Sequence, residues 1–202
     1  MRIRTMLALS ATCLAAASAR AEDYNFKVFC NGDPVGYHHV HIARSEDETD
    51  VDIVADIDVT VAGIDVYRYR HHSHEVWRDG KLTGLVSETD DDGKAKKVSV
   101  RPADDGMLVV ESSKGSREIP ADTLPTSLWN PDILGQRELL DTESGKTIKI
   151  EVAQLSDGRY KMSGDLHLLV DYRSGHWDGL QFHYFGADVE FRPDQPVAMG
   201  TP

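Results

Sequence analysis

The stretch VDIVADIDVTV, residues 51–61, decides the fold class. Its apolar side chains occupy alternate positions, and mostly acidic side chains lie between them. Successive side chains of a β-strand point to opposite faces, so this period of two predicts a strand with one buried and one solvated face. The apolar face comprises Val51, Ile53, Ile57, Val59 and Val61, and the acidic face Asp50, Asp52, Asp56 and Asp58.

Turn signals recur on both sides of this stretch. Asn31-Gly32, Asp79-Gly80, Asp92-Gly93 and Asp157-Gly158 are pairs that readily adopt the positive φ angles of tight hairpin turns. Alternating segments lie between them, and no βαβ rhythm interrupts the series. The sequence therefore predicts an all-β fold of about ten to twelve strands, in a single antiparallel meander curled into a barrel or half-barrel.

Residues 124–141, LPTSLWNPDILGQRELLD, depart from the alternating pattern. Asn130 is a suitable helix cap, Pro131 suits the first helical position, and Asp132 suits the positive end of the helix dipole. We therefore expect one short helix or wound loop around residues 131–137. Trp129, which precedes it, is expected to close one end of the barrel.

Both ends of the chain are predicted to lie outside the folded domain. Arg2 and Arg4 precede a short apolar run, and Ala19-Arg20-Ala21 offers a cleavage site. We expect a cleaved Sec-type signal peptide at 1–21, a single domain at 22–193, a flexible tail at 194–202 and a periplasmic location. No segment reaches the roughly 20 apolar residues of a spanning helix, so an integral membrane protein is not expected.

The net charge and the cysteine count limit the possible partners and disulfide bonds of this protein. The net charge of −12 becomes more negative if the signal peptide and its arginines are removed, so nucleic acid is excluded as a partner. Cleavage would also leave Cys30 as the single cysteine, so no internal disulfide is expected. Cys30 alternates with Phe26 and Val28 and is expected to be buried.

The segment YRYRHHSHEVWRDGKL, residues 67–82, carries the candidate ligand site. On a strand, one face would combine aromatic side chains with a polar centre, and the arginines would lie on the other face. Apolar walls with a few polar groups are typical of a ligand cavity. The predicted ligand-binding residues are Tyr67, Tyr69, His71, Glu75, Trp77 and Trp129.

Two His-x-His pairs suggest a second possibility, a zinc or copper site formed by His39, His41, His72 and His74. Same-face side chains on one strand lie about 7 Å apart, so two pairs on adjacent strands can converge on one ion. The alternative is that these histidines are solvated. No other cofactor is expected.

Signals for catalysis are absent from the sequence. There is no G-x-S-x-G elbow, no phosphate-binding glycine loop and no calcium-loop spacing. His71, Ser73 and Glu75 lie on one strand, where nucleophile and base lack the required hydrogen-bond geometry. An enzyme is therefore the less favoured class.

The segments YRYRHHSHEVWRDGKL and LPTSLWNPDILGQRELLDTESGK resemble a family of exported proteobacterial proteins known only as a domain of unknown function. The resemblance spans most of the chain, from YNFKVFCNGDPVG to DVEFRP, although S-H-W-N in that family is Ser127-Leu128-Trp129-Asn130 here. It implies a β-rich exported domain akin to the curled-sheet lipid carriers of the periplasm, and no established activity.

These observations favour a periplasmic carrier or binding protein for a lipid or other small apolar molecule. The alternative is a non-catalytic interaction or assembly protein with a partner in the cell envelope. A metal-binding protein that uses the histidine pairs is the third hypothesis.

Overall fold

The alternating segments form one large sheet in the computed structural model, which describes residues 20–194. The described residues contain no α-helix. The predicted signal peptide falls outside them except for Arg20 and Ala21, as does the tail beyond Asp194. The strands are β1 (Arg20–Cys30), β2 (Asp33–Arg44), β3 (Thr49–Val61), β4 (Ile64–Arg78), β5 (Lys81–Asp91), β6 (Lys94–Pro102), β7 (Leu108–Ser112), β8 (Gly115–Ile119), β9 (Leu124–Pro125), β10 (Glu138–Leu140), β11 (Thr147–Ser156), β12 (Arg159–Gly164), β13 (Leu168–Arg173), β14 (His176–Tyr184) and β15 (Ala187–Pro193).

The sheet consists of two meanders joined through the first and last strands. Its order is β8-β7-β6-β5-β4-β3-β2-β1-β15-β14-β13-β12-β11-β10-β9, and every described pair is antiparallel except β9 with β10. Because β8 and β9 are the two edges, the ring is not closed by hydrogen bonds. The predicted all-β meander is confirmed, with 15 strands rather than ten to twelve, because the short strands β8, β9 and β10 were not foreseen.

The sheet curls so that distant strands face each other across the interior. The rings of Tyr67 in β4 and Tyr184 in β14 lie 6.3 Å apart, although five strand-to-strand steps separate them in the sheet. Antiparallel pairing gathers the hairpin turns at 31–32, 62–63, 92–93 and 185–186 at one end, which we call the open end. The opposite end, which holds Trp77, Trp129 and Trp177, is the tryptophan end.

Residues 124–146 pack inside the curl and fill much of it. This inner segment contacts inward-facing side chains of both meanders: the Ser87 hydroxyl donates to the carbonyl of Thr142, and the Tyr172 hydroxyl donates to the carbonyl of Leu128 at 2.8 Å. Its apolar side chains Leu124, Leu128, Trp129, Ile133, Leu139 and Leu140 are all buried. The segment therefore supplies a hydrophobic core that the sheet alone would lack.

The expected short helix is present in the inner segment as a 3₁₀-helix, Pro131–Gly135. The side chain of Asn130 accepts a hydrogen bond from the backbone N–H of Asp132 at 3.0 Å, as the capping argument predicts. The helix is five residues long, and its Ile133 side chain is buried in the core.

The β3–β4 hairpin projects beyond its neighbours at the open end. The ladder with β2 stops at Ile57 and the ladder with β5 stops at Tyr69, so residues 58–68 pair almost entirely with each other. Consequently Val61, which the alternation placed on the buried face, is 58% exposed. The physical reason is that this part of β3 pairs with β4 alone, and a register shift between Val59 and Thr60 interrupts the ladder there.

Candidate functional site

The inner face of β4 carries most of the predicted ligand-binding residues. Relative exposure is 8% for His71, 1% for Ser73, 0% for Glu75 and 3% for Trp77, whereas Arg68 and His72 on the other face are exposed. The face alternates without interruption because the β-bulge relative to β5 comes only at Val76 and Trp77.

At the tryptophan end, Glu75 lies between two indoles. The Nε1–H groups of Trp77 and Trp129 both donate to Glu75 Oε2, at 2.9 Å and 3.1 Å. The two rings meet edge to face, with centroids 5.4 Å apart. Glu75 Oε1 and the hydroxyls of Ser73 and Ser127 have no hydrogen-bond partner among the described residues.

Burial raises the pKa of the Glu75 carboxyl, since removal from water penalises the charged form more than the neighbouring polar side chains favour it. No lysine or arginine forms an ion pair with Glu75 among the described residues. Glu75 and the two tryptophans therefore form a closed, packed cluster whose acid lies out of contact with solvent.

At the open end, Tyr67 and Tyr69 anchor a network of ionised side chains. The Tyr67 hydroxyl donates to Asp91 at 2.9 Å, and the Tyr69 hydroxyl donates to Glu143 at 2.8 Å. Lys96 joins these acids, with its Nζ 2.9 Å from Asp91 and 3.0 Å from Glu143. Hydrogen bonding from Lys96 lowers the pKa of Asp91, and burial raises the pKa of both tyrosines.

Two histidines lie on the inner face between the two ends. His71 Nδ1 shares a hydrogen bond of 2.8 Å with the Thr89 hydroxyl, and its ring stacks on Tyr69 at 6.2 Å. His38 on β2 is in register with His71 across Ala55 of β3. Removal from water lowers the pKa of His71 and of the half-buried His38, so both rings are neutral near pH 7.

The interior at the open end is incompletely filled. The aromatic rings of Phe26, Trp177 and Phe191 surround His38 at 5.3–6.4 Å, yet His38 is only half-buried. Other inward-facing side chains near this end are also half-buried, namely Ile57, Val59, Tyr67, Tyr69, Phe182 and Val189. This set, which we call the open-end lining, is mostly apolar and remains accessible to solvent.

The predicted ligand residues thus separate into two groups. Glu75, Trp77 and Trp129 are brought together at the tryptophan end, and Tyr67 and Tyr69 lie at the open end with His71 beneath them. All face the interior, but Glu75 is fully buried, whereas Tyr67 and Tyr69 lie beside the half-buried lining of the open end.

The four predicted metal ligands lie on the outer face and do not converge. Strand β3 separates the pairs, because His39 and His72 flank Val54 while His41 and His74 flank Asp52. His74 Nδ1 is 3.0 Å from Asp52 Oδ1, and His41 Nδ1 is 2.6 Å from Asp23 Oδ1. Within residues 20–194, no three His, Cys, Asp or Glu side chains form a group able to hold a metal ion.

Sequence reasoning missed several residues of the open end. His38 could have been found, because it shares period-two spacing with Val40 and Ile42. Glu143 could not, since it reaches Tyr69 from 74 residues away through the loop after β10. Cys30, expected to be buried, is half-buried because β1 ends there at the rim.

The comparisons with known proteins agree with this architecture. One solved structure, the beta-barrel-like protein of domain of unknown function DUF1849 from Brucella abortus, is similar with a TM-score of 0.55. The match covers 85% of this chain and 94% of that one at 12% identity, so it establishes the fold alone. No curated protein matches the sequence. No helix in the described part of the chain is long and apolar enough to cross a membrane. A family model matches residues 26–194, and the chain therefore belongs to the family described as domain of unknown function DUF6134.

Proposed function

We propose that this protein is a periplasmic carrier or binding protein for a lipid-like or other apolar ligand, which it holds at the open end. The observation that carries the proposal is the open-end lining, whose apolar side chains face inward and yet remain half-exposed. Apolar surface left in contact with water costs about 25 cal/mol per Å², and an apolar ligand would recover that free energy.

The chemistry of this end suits an amphipathic ligand. The hydroxyls of Tyr67 and Tyr69 are engaged by Asp91 and Glu143, so the tyrosines offer their ring faces to a ligand. Lys96 is the cation in this network, is paired with both acids, and is a candidate partner for a polar head group. Mostly apolar walls with a few fixed polar groups are the usual composition of a small-molecule site.

The rim of the open end favours entry of the ligand from an apolar phase. The most exposed large apolar side chains in the described residues include Phe185 at 92%, Ile64 at 67% and Val61 at 58%, all on the two hairpins that meet through Tyr67 and Tyr184. Contiguous exposed apolar residues commonly mark interaction sites.

Turn chemistry at these tips supports the same interpretation. Within residues 20–194, six non-glycine residues have positive φ, and each precedes a glycine of a tight turn. Four are Asn31, Asp79, Asp92 and Ser174, whereas the β3–β4 and β14–β15 tips carry Ala62 and Phe185. A large apolar residue such as Phe185 is unfavourable in this conformation, so its presence supports a use for it in the exposed tip.

The periplasmic location rests on the predicted signal peptide. Cleavage after Ala21 would remove the first two residues of β1 and leave Glu22 as the first residue of the exported protein. Intact-mass measurement of protein recovered from the periplasm tests this directly, and a mass that retains residues 1–21 would contradict it.

The function is tested by native mass spectrometry of protein purified from the periplasm, without chelators or a histidine tag. We expect an adduct of several hundred daltons that is released into organic solvent and identified as a lipid. A protein that carries no adduct and takes up no long-chain fatty acid on titration would refute the carrier hypothesis.

A matched pair of variants on β3 localises the ligand. Ile57→Asp places a charge in the open-end lining, whereas Val54→Asp places the same charge on the exposed outer face of the same strand. We expect Ile57→Asp to lose the adduct and Val54→Asp to keep it, with folding of both confirmed by circular dichroism. Equal loss in both variants would place the ligand elsewhere.

The projecting β3–β4 hairpin also favours the alternative function, a non-catalytic interaction protein of the cell envelope. Both backbone edges of residues 58–68 are largely unpaired, and such edges can accept a strand from another chain. This hypothesis expects no lipid adduct, and it expects a photo-crosslinker at Ile64 to capture one defined protein.

A further inference from the structure

A cleft of about 510 Å³ opens at the tryptophan end, far from the proposed ligand site. Strand β1, the β2–β3 and β4–β5 turns and the 3₁₀-helix surround it. Its lining includes Tyr24, Trp77 and Trp129, all more than 90% buried, so their remaining exposed surface contributes to its floor. The cleft is therefore a built concavity with aromatic walls.

The rim of the cleft is strongly acidic. The acidic residues that line it are Glu22, Glu46, Asp47, Glu48, Asp79 and Asp132, and among the described residues Arg44 is the only lysine or arginine that does so. Arg44 pairs with Glu22 at 3.5 Å, and Arg78, just outside, pairs with Glu48 at 2.6 Å. The other four carboxylates form no ion pair with residues 20–194. The cleft thus has charge complementarity to a cation.

The aromatic floor already holds one cation of the protein itself. The guanidinium carbon of Arg44 lies 5.6 Å from the ring centroid of Trp129, within the range of a cation–π interaction. The N–H groups of Trp129 and Trp77 point away from the cleft to Glu75, whose Oε1 is fully buried and has no hydrogen-bond partner in the described chain. Donation to this acid enriches the indole rings in electron density and strengthens their attraction for a cation.

The form of the site distinguishes an organic cation from a metal ion. No three acidic, histidine or cysteine side chains of the described chain converge as metal ligands. The carboxylates instead surround an aromatic surface, which suits a planar guanidinium that stacks on a ring and donates from its edge. Arg44 demonstrates this arrangement within the fold.

We propose that this cleft binds a guanidinium group, contributed either by a small molecule or by an arginine side chain of a peptide. The group lies on the aromatic floor beside Arg44 and pairs with Asp79 and Asp132. This site is independent of the carrier hypothesis, because it lies at the opposite end of the interior.

The test is titration of the purified protein by isothermal calorimetry with N-acetyl-arginine amide and with the peptide Gly-Arg-Gly. We expect a dissociation constant of about 0.1–1 mM, at least fivefold tighter than for N-acetyl-lysine amide. Binding of both probes would identify the small-molecule source as sufficient, and binding of the peptide alone would assign the source to a peptide. No binding up to about 20 mM, or equal binding of the lysine probe, would overturn the proposal.

Variants with a matched control localise the effect. Asp79→Asn combined with Asp132→Asn removes two charges while asparagine tolerates the positive φ of residue 79. We expect this variant to weaken binding about three- to tenfold. Asp92→Asn makes the same change in the equivalent turn at the open end and should leave the affinity unchanged. Arg44→Met vacates the Trp129 ring and should tighten binding; weaker binding in this variant would contradict the assigned position.

Discussion

At the scale of single residues, the unusual group is Glu75, a carboxylic acid enclosed by two indoles with no cation beside it. Its folded-state pKa is raised above that of the unfolded chain, because burial disfavours the charged form. Its contribution to stability is therefore fully present below the pKa of the unfolded chain and is lost as the pH rises through the folded pKa. Each unit of this shift corresponds to about 1.4 kcal/mol.

We predict that Glu75→Gln removes this pH dependence. Glutamine keeps the shape and can accept the indole hydrogen bonds but cannot ionise. The free energy of unfolding of the variant, relative to that of the unmodified protein, should increase as the pH rises above 4.5, the ordinary pKa of this carboxyl, as measured by urea denaturation. Glu88→Gln is the control. The hydrogen bond with Lys97 lowers the pKa of Glu88, so the pH dependence of its contribution to stability has the opposite sign to that of Glu75. If the free energy of unfolding varied with pH in the same way in the unmodified protein and in Glu75→Gln, the prediction would be contradicted.

At the scale of elements, the inner segment and the sheet depend on each other. Gly145 shows how close they approach, because a Cβ at this position would lie 3.1 Å from Ser112 Cβ and 3.3 Å from Val110 Cγ1. Gly145 also has a φ of +68°, which side-chain-bearing residues rarely adopt.

We predict that Gly145→Ala destabilises the protein through both effects. The left-handed backbone costs about 1–2 kcal/mol, and overpacking against β7 adds about 1–3 kcal/mol. Gly93→Ala is the matched control, because Gly93 has a φ of +82° but open space around its Cβ position. Urea denaturation of both variants measures the difference. An equal loss of free energy of unfolding in Gly145→Ala and Gly93→Ala would indicate that the inner segment moves away from β7 at little cost.

At the tip of the β14–β15 hairpin, a residue that is unfavourable for stability is proposed to serve ligand entry. Replacing Phe185 by asparagine matches the residue preference of this turn and should raise the free energy of unfolding by up to about 1 kcal/mol. If the tip contacts the apolar phase, the same change should slow the uptake of a pyrene-labelled fatty acid from zwitterionic vesicles. Ser174→Asn, at the equivalent position at the tryptophan end, should leave the uptake rate unchanged. An unchanged uptake rate in the Phe185 variant would show that the tip does not take part in ligand entry.

At the scale of the whole molecule, strand β1 joins the two meanders. It pairs with β2 on one side and with β15 on the other, whereas β8 has a partner on one side only. We predict that hydrogen exchange is slowest in β1, β2 and β15 and fastest in β8. Mass spectrometry of peptides after exchange measures this order. Equal protection of β8 and β1 would indicate that the ring is closed in solution.

Local patterns in the sequence determined the all-β class, the single antiparallel meander, the inner face of β4 and the capped turn at residues 131–135. They succeed because strand alternation, turn conformation and capping depend on residues close together in the chain. The metal hypothesis depended on the two histidine pairs lying on adjacent strands. In the structure β3 lies between them, so the four histidines do not converge.

Only the tertiary structure decided which end of the interior is filled. The inner segment packs against Glu75 and leaves the open-end lining accessible, and it brings Glu143 to Tyr69 across 74 residues. Contacts over such separations depend on how the whole sheet curls and on which loop enters it, and no local pattern encodes either. The sequence therefore determined which residues face inward, and the packing of the inner segment determined which of them are buried and which stay exposed to solvent.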